Sequence, residues 1–157
     1  MNRSFQIVPV AYARFALLFE LGDAELQAMD ACRMTVDAKP GFPCRASLAD
    51  AEIGETVLLV PYVHHEVCSP YRASGPIFIR QNARTARPAV DEIPDIFRHR
   101  LLSLRAYDDQ ATMVDADVAH GRELEPVIRR LFANERVRYL HIHNAGPGCF
   151  NCRVDRV

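Results

Sequence analysis

The stretch Tyr139-Leu140-His141-Ile142-His143-Asn144 constrains this chain more than any other; it breaks at Ala145-Gly146-Pro147-Gly148 and resumes at Cys149-Phe150. A β-strand repeats every two residues, so Leu140 and Ile142 point one way and Tyr139, His141 and His143 the other. One face is apolar and suited to a core. The other carries two imidazoles and a phenol, with a thiol just past the turn. The stretch predicts a sheet with one structural face and one face equipped for chemistry.

The rest of the chain supplies neighbours for that strand. Strands are expected over Phe5 to Val10, Arg33 to Asp37, Glu55 to Tyr62 and Ile77 to Arg80. Leu101 to Tyr107 and Met113 to Val118 form a hairpin, and Phe150 to Val154 a last short strand. Helical spacing runs through Ala11 to Glu20, Asp23 to Met29 (with Asp23 as cap) and Pro94 to Arg100. Gly121 opens the clearest helix, whose stripe is Leu124, Val127, Ile128 and Leu131, with Pro126 tolerable only in the first turn. His64 to Pro70 and Tyr71 to Pro76 read as loop. Strands and helices that do not alternate strictly predict an α+β fold, a largely antiparallel sheet with short helices packed on one face. At 157 residues a single domain, 1–157, is the simplest expectation.

A formal net charge of -1 supplies no field for nucleic acid or an anionic membrane, so neither partner is expected. The longest apolar run, Phe15 to Phe19, is too short to span a bilayer. Met1-Asn2-Arg3-Ser4 leads straight into a strand-like run that does not resemble a signal sequence, so a cytoplasmic location is expected. Its five cysteines are then expected to be reduced, and an odd count argues against a disulfide framework.

Four readings of the polar residues follow. The polar sheet face is assigned Ser103, Arg105, Tyr107, Asp115, Asp117, His141 and His143, a set suited to a ligand cleft. His141-x-His143, with His64, His65 or Cys149 as third ligand and Cys149-x-x-Cys152 nearby, has metal-ligand spacing. On a strand, however, Cys149 and Cys152 face opposite ways, and no metal or other cofactor is assigned. Cys149, after Pro147-Gly148, is placed for nucleophilic attack if a histidine activates it. Arg72, the Ser74 hydroxyl and the Gly75 N–H offer a hold for carboxylate or phosphate.

Pro43-Cys44-Arg45-Ala46-Ser47-Leu48, Ser69 to Phe78, Leu102 to Asp108 and Gly148-Cys149-Phe150 together resemble the bacterial family catalogued as domain of unknown function 1203. The resemblance covers most of the chain. It implies a small single-domain bacterial protein and no particular activity. The family pattern includes histidines matching His64 and His143, with Arg72, Arg105 and Cys149, while His65, His141 and Cys152 stand less clearly in it. That favours a mixed Arg/His/Tyr/Cys pocket over a metal site.

The expectation is therefore a pocket for a small anionic molecule, with catalysis left open. Its lining is His64, Tyr71, Arg72, Ser74, Arg105, Tyr107, His143 and Cys149. Arg72 and Arg105 hold the anion, His64 or His143 exchanges a proton, and Cys149 is the candidate nucleophile. The loop from Tyr71 to Ser74 is expected to roof the polar face. The rivals are a protein-interaction module using that face, and a His/Cys metal enzyme.

Overall fold

Alternating apolar residues build the first sheet. The computed structural model describes residues 3–157, so the Met1-Asn2 opening of the sequence reading lies outside it. Strands β1 (Phe5–Val8), β7 (Leu101–Tyr107), β8 (Met113–His120), β9 (Tyr139–Asn144) and β10 (Phe150–Arg156) form an antiparallel sheet in the order β1-β10-β9-β7-β8. Leu102, Leu104, Leu140, Ile142 and Val154 line its apolar face and are fully buried. Helix α2 (Leu124–Leu131) closes this core with Leu124, Ile128 and Leu131. Each such side chain contributes about 1.5–3 kcal/mol when removed from water. Pro126 does fall in the first turn of α2. Gly121 just ahead of it is obligatory, because a Cβ there would lie 1.7 Å from the Phe97 carbonyl oxygen.

The remaining strands form a second sheet rather than joining the first. These are β2 (Cys32–Thr35), β3 (Pro43–Cys44), β4 (Ala49–Asp50), β5 (Thr56–His65) and β6 (Ala73–Arg80), in the order β2-β5-β6-β3-β4. Only the β3–β6 pair in it is parallel. The α+β expectation holds in outline, but the molecule is sheet-dominated and has two sheets where one was expected. Leu58, Val60, Ile77 and Ile79 of the second sheet share a core with Phe15 and with Phe150 of the first. No helix among the described residues is long and apolar enough to cross a membrane.

Several boundaries differ from the sequence reading. Ala11 to Glu20 forms two 3-10 turns, Tyr12–Arg14 and Ala16–Glu20, and Asp95–Phe97 forms another. In helix α1 (Asp23–Ala28) the cap is Gly22, whose N–H donates to the Glu25 carboxylate at 2.7 Å, so Asp23 is already helical. The largest difference is in β5, which runs through Pro61 to His65. β2 stops opposite Leu59, so one edge of Pro61 has no strand beside it, and its partner on the other edge is Pro76. A missing N–H costs little at such a position.

Candidate functional site

The continuation of β5 creates the site. Its pairing with β6 slips by one residue between Tyr62 and His65, a bulge. The extra residue lets two consecutive side chains, His64 and His65, reach the same neighbouring surface. That surface is the polar face of the first sheet. Tyr139, His141 and His143 do lie opposite Leu140 and Ile142, but all six residues of β9 are buried. The end of β5 covers the face; of the loop from Tyr71 to Ser74, Tyr71 reaches it through Tyr107 and His65.

His64, His141 and His143 converge. Each offers one ring nitrogen, and the three lie within 4.8 Å of one another. The Phe150 ring packs against all of them, at centroid distances of 5.1, 5.1 and 5.6 Å respectively. Four buried side-chain N or O atoms lack a hydrogen-bond partner among the described residues, and three belong to this cluster: His64 Nδ1, His141 Nδ1 and His143 Nε2. A buried polar atom left unsatisfied costs about 1–3 kcal/mol, so three in one place require an explanation.

Protonation does not supply one. Burial drives the His64 pKa down to about 4 and the His143 pKa to about 3, with the Arg105 charge pushing both further the same way. His141 is lowered as well, by burial first and then by the neighbouring histidines and Arg153. The three rings are therefore neutral near pH 7, and each keeps one nitrogen lone pair. His143 shows which: its Nδ1–H donates to the Gly148 carbonyl at 3.0 Å, leaving Nε2 with the lone pair.

The neighbouring side chains divide into groups. His65 Nδ1 donates to the Tyr71 carbonyl and Nε2 accepts from the Tyr139 hydroxyl, both at 2.8 Å, so His65 is satisfied and braces the cluster. Its ring packs on Tyr107, 4.2 Å between centroids. Tyr71 in turn stands edge-on to Tyr107 at 6.1 Å. Tyr107 is buried, which raises its pKa against the opposing effect of Arg105. Arg105 lies directly across from His141 on β7, and Ser103 across from His143. Arg105 opposes the rise in the Tyr107 pKa and has no carboxylate partner among the described residues.

Other expected members are not brought in. Arg72 is exposed, with its guanidinium 3.9 Å from the exposed Glu66 carboxylate. Ser74 is exposed on the outer face of the second sheet, beside Cys32, Leu59 and Pro76. It alternates with Ala73, the partner of His65, so it points away from the histidines. Asp115 and Asp117 pair with Ala106 and Leu104, on the helix side of the first sheet, and Asp117 forms an ion pair with Arg130 of α2. Cys149 is partly exposed and receives hydrogen bonds from Arg45 and Asn144 rather than from a histidine. Cys152 is buried in the core of the first sheet, where burial pushes its thiol far up. The cleft lined by Arg98, His99, His120, Arg122 and Glu123 holds about 500 Å³ and includes none of the three histidines.

His65, a possible metal ligand by sequence, instead braces the cluster through Tyr139 and the Tyr71 backbone. Arg45 has no role in the sequence analysis beyond its motif, although a lone charge between Cys44 and Ala46 is itself a signal.

The fold and the site define a two-sheet protein with a trio of histidines between its sheets, each with one buried ring nitrogen that has no partner among the described residues. The chain belongs to the family described as protein of unknown function (DUF1203), whose profile matches residues 41–156. No curated protein and no solved structure matches it.

Proposed function

We propose that His64, His141 and His143 hold a divalent transition metal, and that the centre binds a small anionic molecule at its open coordination position. The observation that carries this reading is that His64, His141 and His143 each bring one ring nitrogen within 4.8 Å of the others, and each also has a buried ring nitrogen with no hydrogen-bond partner among the described residues. Three neutral imidazoles on two sheets are the ligand type and number of a catalytic zinc site, with a fourth position free. Tetrahedral zinc holds its nitrogens roughly 3.3 Å apart, so the rings close by at most about 1.5 Å on binding. The carbonyl on His143 Nδ1 is the outer partner such ligands use. Cobalt, nickel and ferrous iron suit the same donors, and availability decides among them.

Arg105 supplies the second half of the reading. A half-buried guanidinium without a carboxylate, across the strand from His141, attracts an anion to the metal. The chemistry this arrangement fits is metal-assisted attack of water on a small anionic substrate. The cover that β5 gives to β9 supports this reading over a protein-interaction module using the same face.

Elemental analysis of protein purified without chelator tests the metal. About one metal per chain is expected, lost in His141→Ala and His143→Ala. Less than about a tenth of a metal per chain, together with no uptake of micromolar zinc or cobalt by the folded protein, removes the reading.

A further inference from the structure

Arg45 lies in the turn between β3 and β4 and is only 1% exposed. Its Nε donates to the Phe150 carbonyl at 2.7 Å, and its terminal nitrogens donate to the Pro43 carbonyl and, at 3.1 Å, to Cys149 Sγ. No carboxylate pairs with it among the described residues; Asp50, across from Pro43, is engaged by Arg100. A guanidinium keeps its charge in a protein, and a buried charge without its opposite is strongly unfavourable.

The sulfur has donors on both sides. Asn144 Nδ2 approaches it at 3.3 Å, and the amide is locked in that orientation because its Oδ1 accepts from Asn151 Nδ2 at 2.8 Å. Cys44 is the other thiol near Arg45, and its sulfur is occupied by the backbone N–H groups of Ser47 and Arg80. We infer that Cys149 is held as a thiolate, the counter-ion of Arg45, and that this pair positions the histidine centre.

The positioning follows from chain order. Gly148, just before Cys149, carries the carbonyl that orients His143; Phe150, just after it, carries the ring that packs on all three histidines. Arg45 ties down both the sulfur and the Phe150 carbonyl, from the other sheet. Cys149 is thus a positioning residue and not a ligand. The thiolate stands independently of any metal; the positioning half rests on the metal reading above.

Alkylation of the full-length, metal-free protein tests the thiolate. Iodoacetamide forms an S–C bond with a thiolate as iodide leaves, and mass spectrometry assigns the rate to each cysteine. An ordinary thiol slows about tenfold per pH unit below its pKa. Cys149 is expected to react at nearly the same rate at pH 6 and pH 8, and Arg45→Met to abolish that constancy. A tenfold-per-unit decline at Cys149 in the wild type overturns the thiolate, without relying on any variant's folding. Cobalt titration then tests positioning. Cys149→Ser is expected to bind at least tenfold more weakly, and Cys149→Asp, which restores the charge, to recover most of the loss. A pH-independent thiolate with wild-type cobalt affinity in Cys149→Ser overturns the positioning role while the metal reading stands. A wild type that binds no metal removes that reading and the positioning role together, and leaves the alkylation result to decide the thiolate alone.

Discussion

His143 donates Nδ1–H to the carbonyl of Gly148, 3.0 Å away across the turn that joins β9 to β10. Gly148 has a φ of 81°, so its carbonyl reaches the ring through a conformation that other residues adopt at a cost. Gly148→Ala is expected to cost about 1–2 kcal/mol of stability, since a Cβ there meets nothing within 4 Å. By disturbing the carbonyl, the same change should weaken metal binding by roughly 10–100-fold. Zinc titration beside denaturant unfolding of the metal-free protein separates the two effects.

Acid should destabilise the metal-free protein. His64 and His143 have folded pKa values of about 4 and about 3, against 6.5 unfolded, and His141 is also depressed. As pH falls below 6.5 the unfolded chain takes up protons that the folded chain refuses. Stability therefore falls with pH through that window and is independent of these groups above it. Each fully buried histidine contributes about 1.4 kcal/mol per pH unit, the partly exposed His64 less. Urea melts at pH 7 and pH 5 measure this, and His143→Gln should flatten the slope.

Arg105→Met should leave the metal in place and weaken anion binding. The side chain faces His141 without being one of the converging ligands. A tenfold or greater rise in the dissociation constant of thiocyanate or a small carboxylate, read from the visible spectrum of the cobalt protein, is expected. Unchanged anion affinity would remove Arg105 from the site.

Arg72→Ala should change stability by less than about 0.5 kcal/mol, because its pair with Glu66 is exposed on both sides. It should also leave metal and anion binding as in the wild type. A large loss of either would bring the loop back into the site.

Much of this was legible in sequence and some was not. The alternation in β9 correctly separated Leu140 and Ile142 from His141 and His143, because period two is a local property of an extended chain. The hairpin of β7 and β8 was equally local, and so was α2. What failed was long-range or paired. Pro61 looked like the end of a strand because its cost depends on which neighbour is missing, and β2 stops just before it. Asp115 and Asp117 were put on the wrong face because pairing register, not alternation within β8, decides which way they point. Ser74 is expected in a loop but lies at the start of β6, where alternation with Ala73 turns it outward. Arg45 meets Cys149 from 104 positions away in the chain, a contact that no local pattern encodes.

The bulge in β5 has a consequence of its own. A strand without it would show its neighbour one histidine of the pair and turn the other outward. Here a single unpaired residue lets His64 meet His141 and His143 while His65 grips Tyr139 and the Tyr71 backbone. The centre therefore depends on a residue count as much as on residue identity. Deleting Val63 would leave every histidine in the chain and still dismantle the trio, whereas many substitutions at the same position would leave the phase of the strand intact.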